Sequence, residues 1–182
     1  MPARYPSADD IAEMRARDYD RSVIEEAREL SKRRELLERI KLVIRDAFSG
    51  VRLDSGVGLC EAQALDDYAD DATRAKYREK DEKHNWQTIS VKDLNKCNSS
   101  LSFFDAEGMR FHLPAYLVAD LDSAYNFGMA YCLTQCPGVQ FALLNNPQAD
   151  AVRQYLQFIE EEPDYALDRE HIRRALEENW AE

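Results

Sequence analysis

Little in this sequence bends, crosslinks or ligates. Its 182 residues include only six glycines, six prolines, four cysteines and three histidines. Four cysteines in a chain this long are too few for a disulfide scaffold, so free thiols are expected. Cys132-x-x-x-Cys136 is the only close pair, and it lacks the two-residue spacing and the second pair of a zinc knuckle. His84, His112 and His171 stand far apart without local ligand partners, so no metal site is expected. Nothing asks for a cofactor either. The glycines between Gly50 and Gly58 lack both the Gly-Lys-Ser/Thr ending of a phosphate loop and the G-x-G-x-x-G spacing of a dinucleotide fold, and read as a turn-rich connector. There is no Gly-x-Ser-x-Gly elbow for serine chemistry. No long uncharged apolar run predicts a membrane span, and the opening Met1-Pro2-Ala3-Arg4-Tyr5-Pro6 has no apolar stretch to serve as a secretion signal. A cytoplasmic location is the resulting expectation.

Positive charge is also in deficit. The 24 Lys and Arg side chains face 35 Asp and Glu, a net charge of −11. Residues 1–50 hold 11 basic and 11 acidic groups, which leaves 13 basic and 24 acidic groups, and the whole excess, to residues 51–182. Such a field repels phosphate backbones and anionic headgroups and attracts cationic proteins. The expected partner is therefore a basic protein, not nucleic acid and not a membrane. The local run Lys32-Arg33-Arg34, with Arg39, Lys41 and Arg45, is laced with Glu29, Glu35 and Glu38 at helical spacing and reads as a solvated helix face.

What is present is helical periodicity. From Asp20 to Phe48, Val23, Ala27, Leu30, Leu37, Ile40, Ile44 and Ala47 recur at spacings of three, four and seven, with charges opposite. Asp20 suits the N-cap, and Ser49-Gly50 the stop. Residues 1–19 read as an N-terminal arm with a short helix capped by Ser7 and carrying Ile11 and Met14. Residues 20–182 read as a single domain that opens with the long amphipathic helix 20–48. The heptad-like spacing of that helix also admits self-association into a homo-oligomer.

The β signal lies between Leu101 and Leu113. Leu101-Ser102-Phe103-Phe104 and Met109-Arg110-Phe111-His112-Leu113 flank Asp105-Ala106-Glu107-Gly108, which predicts a hairpin about a four-residue loop. Pro114 then suits the first turn of a helix over Ala115–Leu121. Further helices are predicted from Asn146-Pro147 to about Glu162 and from Asp168 through Trp180. The expected fold class is α+β: mostly helical, with a central β-hairpin or small antiparallel sheet.

The segment with Glu107-Gly108, Arg110-Phe111-His112 and Leu113-Pro114-Ala115-Tyr116 resembles a family of uncharacterised bacterial proteins. So do Ala47-Phe48, Leu59-Cys60-Glu61-Ala62, Asp67-Tyr68 and the ending Ile172, Ala175-Leu176, Trp180. The resemblance covers roughly residues 35–182. It implies a shared fold and supplies no activity.

Two sets of residues are candidates for function. Asp105, Glu107, Arg110, His112 and Tyr116 are the residue types that acid–base work on an anionic metabolite requires. Turn chemistry and a cross-hairpin ion pair explain them as completely. The second set is acidic. Asp66, Asp67, Asp70 and Asp71 surround Tyr68, and Glu160, Glu161, Glu162 and Asp164 precede Tyr165. Each cluster places an aromatic anchor beside carboxylates that could meet a basic partner. The reading favours a non-enzymatic acidic binding protein, of the immunity kind that neutralises a basic toxin by direct occlusion. The alternatives are a small enzyme using the 105–116 region and a self-associating helical scaffold.

Overall fold

A computed structural model describes residues 5–135 and 138–181, which form nine α-helices linked by loops and short 3-10 turns. Cys136 lies outside the described residues. The first helix, α1 (Ala8–Ala16), starts in a reciprocal capping box between Ser7 and Asp10. It packs on α2 (Arg21–Ala47), which Asp20 caps. Leu37, Ile40 and Ile44 of α2 are buried, whereas Val23 and Leu30, nearer α1, are each 40% exposed. Next come α3 (Leu59–Asp66) and α4 (Asp71–Lys80), which pair with each other, and the short α5 (Val91–Lys96). The centre of the molecule is α6 (Ala106–Leu121), followed by α7 (Ala130–Gln135), α8 (Asn146–Glu160) and α9 (Arg169–Glu178).

No strand occurs among the described residues, so the expected α+β class and its hairpin over residues 101–113 are overturned. The reason lies in α6. Asp105 does not open a loop; it caps the helix, its carboxylate accepting the Gly108 N–H at 2.8 Å. An Asp followed by Glu and Gly serves a helix start as readily as a turn. Helix α6 is buried along most of its length, from Gly108 to Leu121, so it has no polar face to reveal its period. The alternation of Met109, Phe111 and Leu113 with Arg110 and His112 then imitates a strand. Pro114 sits inside this helix, not at the start of another one. There it removes the N–H that would have bonded the Arg110 carbonyl, a defect that burial of the surrounding side chains offsets.

Helices α2, α6 and α8 share the core, in which Ile44, Phe48, Leu117, Tyr155 and Leu156 are fully buried. Both tryptophans close it with a hydrogen bond as well as a ring. The indole of Trp86 donates to the Phe48 carbonyl at 3.0 Å, and that of Trp180 to the Leu133 carbonyl at 3.1 Å. Two buried charged groups are likewise partnered. Asp120 accepts from the Tyr155 and Tyr165 hydroxyls at 2.6 and 2.5 Å, and Lys41 bridges Glu38 and Asp122 at 3.0 and 2.7 Å.

Candidate functional site

The five candidate acid–base residues all belong to α6 or its cap, and the helix distributes them. Asp105 accepts the Val57 N–H at 3.0 Å as well as that of Gly108, and Glu107 accepts the Ser55 hydroxyl at 2.5 Å. Both carboxylates therefore pin the loop before α3 onto the first turn of α6. His112 is sealed in the core, stacked on Phe104 at 4.4 Å with an edge contact to Phe111. Its Nδ1 lies 2.7 Å from the Gly108 carbonyl, which assigns the proton to that nitrogen. Burial pushes its pKa down to about 4, against a smaller upward pull from that carbonyl. Tyr116 is also buried, and its hydroxyl donates to the Cys97 carbonyl at 3.4 Å. Loss of water raises its pKa. Arg110 is half-buried. The geometry does not bring these five side chains to one opening.

The two acidic clusters differ in what they touch. Glu160 pairs with Arg173, Glu161 with Arg33, and Glu162, only 3% exposed, with Arg33 and the Tyr5 hydroxyl. The Arg33 guanidinium also lies 4.4 Å from the centre of the Phe158 ring and donates to the Phe158 carbonyl. Tyr165 is buried and bonded to Asp120, while Asp164 is exposed. Most of this cluster thus faces inward, where it joins α2 and α9 to the end of α8.

The α3–α4 corner faces outward. Helix α3 ends in a Schellman turn: the Tyr68 N–H bonds the Leu65 carbonyl and the Ala69 N–H reaches back to that of Ala64. This places Tyr68 at the left-handed position, φ +55°, where glycine is the usual residue. Its ring is 97% exposed. Around it, Asp67 accepts from Gln63, Asp70 caps α4 by accepting the Thr73 N–H at 2.7 Å, and Asp71 pairs with Arg74. That cap holds the Asp70 carboxyl below the ordinary range. Asp66 is half-buried and the other three aspartates are exposed.

One arrangement was not visible in the sequence. Asp81, at the end of α4, reaches across to the start of α3 and accepts the Cys60 and Glu61 N–H groups at 2.8 and 3.1 Å. Gly58 permits this approach, since a Cβ there would stand 2.1 Å from the Asp81 Oδ2. Beside it, the Cys60 and Cys97 sulfurs are 3.9 Å apart, although the residues are separated by 37 positions with no motif between them. Among the described residues no three His, Cys, Asp or Glu side chains are placed to hold a metal ion, and no helix is long and apolar enough to cross a membrane.

These features define an all-helical domain with an acidic, aromatic-tipped corner. Residues 33–182 match the Family of unknown function (DUF6714), and the chain belongs to that family. No curated protein and no solved structure matches it. The matched segment begins at Arg33, the residue that ties α2 to the end of α8, so α1 and the start of α2 lie before it.

Proposed function

We propose that this chain is a non-enzymatic binding protein of the bacterial cytoplasm that receives a basic protein on its α3–α4 corner. The partner is a cognate toxin, which the chain neutralises by occlusion. The observation that carries this reading is Tyr68. A bulky residue in the left-handed region costs about 1 kcal/mol relative to glycine, and here the exposed ring recovers nothing within the monomer. Such a residue suits a partner that removes the ring from water, where a buried aromatic contributes about 1.5–3 kcal/mol. The surrounding Asp66, Asp67, Asp70 and Asp71 add local negative charge to a net −11, which steers a cationic surface toward the same corner.

The partner to test is a basic toxin domain, sought among the genes adjacent to this one, and Tyr68→Gly is the informative variant. It relieves the left-handed strain, so thermal unfolding shifts upward by about 1 kcal/mol, while affinity for the toxin falls at least about tenfold. A generic loss of folding cannot produce opposite signs. Changing the four aspartates to asparagine preserves the α4 cap, because asparagine caps as well as aspartate, and lowers the association rate at low salt. Undiminished affinity of Tyr68→Gly, or failure of the wild-type chain to protect cells from that toxin, removes the proposal.

A further inference from the structure

We propose that Cys60 and Cys97 form a modification site: a thiol pair that a low-molecular-weight disulfide of the glutathione type oxidises to an intramolecular disulfide joining the start of α3 to the end of α5.

Three observations converge on this pair. The sulfurs stand 3.9 Å apart, so a bond requires them to close by about 2 Å. Both cysteines sit at helix ends, where the backbone yields most easily: Cys60 is the second residue of α3, and Cys97 is the C-cap of α5 with φ −97° and ψ 55°. Access is one-sided, because Cys60 is half-buried and Cys97 is buried. Cys60 is therefore the sulfur that meets the reagent and Cys97 the one that resolves it. The electrostatics bear on the resolving step. The shared S–H···S contact and Lys96 lower the Cys97 thiol, whereas that contact, burial and Asp81 raise Cys60. Of the two sulfurs, Cys97 is therefore the one whose thiolate is favoured, which suits it to the resolving attack. Cys132 lies elsewhere, on α7, and burial pushes its pKa up to about 12.

The exchange balances without further reagents. Cys60 loses its proton and its sulfur attacks the small disulfide R–S–S–R, forming Cys60–S–S–R and releasing R–S⁻. The Cys97 thiolate then attacks the Cys60 sulfur, the bond to R–S breaks, and a second R–S⁻ departs. The two protons from the protein thiols end on the two released thiolates. Two electrons pass from the cysteine pair to the reagent, which becomes two R–SH. The new bond encloses α3, α4 and α5, and with them the Tyr68 turn. Constraining a loop of that length in the unfolded chain raises the melting temperature of a protein this size by about 5–10 °C.

The test incubates the purified full chain with oxidised glutathione, blocks the remaining thiols by alkylation and maps non-reduced peptides by mass. The expected result is a linked pair of peptides carrying Cys60 and Cys97, with the rise in melting temperature reversed by dithiothreitol. Cys97→Ser stops at a glutathione adduct on Cys60, whereas Cys60→Ser forms no crosslink to Cys97. Recovery of both Cys60 and Cys97 as alkylated thiols in the wild-type chain overturns the proposal. So does a disulfide that joins either of them to Cys132, to Cys136 or to a second molecule.

Discussion

Replacing Gly56 with alanine is expected to lower the free energy of unfolding by about 3 kcal/mol, read from urea denaturation with an unchanged m-value. A Cβ at this position would lie 2.5 Å from the Gly108 nitrogen and 2.6 Å from the Glu107 Cβ. These are a backbone atom and a Cβ of the first turn of α6, which cannot yield as the end of a flexible side chain would, so the loop must lift from α6. Lifting it breaks the Val57 N–H bond to Asp105 and the Ser55 bond to Glu107, at 3.0 and 2.5 Å. It also disturbs Arg78, which donates to the Gly56 and Asp54 carbonyls. Overpacking costs about 1–3 kcal/mol and each lost bond about 0.5–1.5 kcal/mol, which together give the expected size. Gly108 tests the reasoning where two effects oppose each other. Alanine favours a helix interior over glycine by about 1 kcal/mol, yet its Cβ would stand 2.5 Å from the Val57 carbonyl. Packing wins, and Gly108→Ala destabilises. Gly138, with nothing within 4 Å of a built Cβ, is the control and should change by less than about 0.5 kcal/mol.

The same glycines show why parts of the fold were legible in the sequence and parts were not. Helix α2 was readable because one side of it meets solvent, so its apolar residues recur at the helical period; α8 was readable for the same reason. Helix α6 lies at the centre, with almost every side chain in the core, and burial on all sides erases that contrast. Its capping Asp105 and its Gly108 are residue types that a hairpin turn uses equally well. What identifies Gly108 as helical is the loop it contacts, which is distant in sequence. The acidic clusters illustrate the same limit. Composition reveals the charge at residues 160–164, but not that Arg33, some 129 positions earlier, takes up Glu162. Tyr68 was visible as a residue beside aspartates, whereas its left-handed backbone belongs to the Schellman turn. The Cys60–Cys97 contact had no sequence signal, because neither spacing nor a flanking motif marks it.

Acidification from pH 7 to pH 4 is expected to remove about 3 kcal/mol of stability through His112 alone. An unfolded histidine titrates near 6.5, whereas burial holds His112 at about 4 in the folded chain. Between those values the unfolded chain binds a proton that the folded chain refuses. Stability therefore rises with pH across the window, and it falls as the solution is acidified. At about 1.36 kcal/mol per pH unit the gap amounts to the stated loss. His112→Phe isolates the effect. Phenylalanine keeps a ring against Phe104 but loses the Nδ1–H bond to the Gly108 carbonyl, which costs about 1 kcal/mol at neutral pH. The variant is thus less stable than the wild type at pH 7 and more stable at pH 4, so the two stability curves cross between pH 6.5 and 4. Other titrating groups, including Asp81 with its burial-raised carboxyl, act in both proteins and cancel in the difference. Parallel curves would mean that His112 takes up a proton in the folded chain as readily as in the unfolded one. Such a histidine would have access to water, and the 105–116 region would regain the acid–base capacity that its burial in the core now denies it.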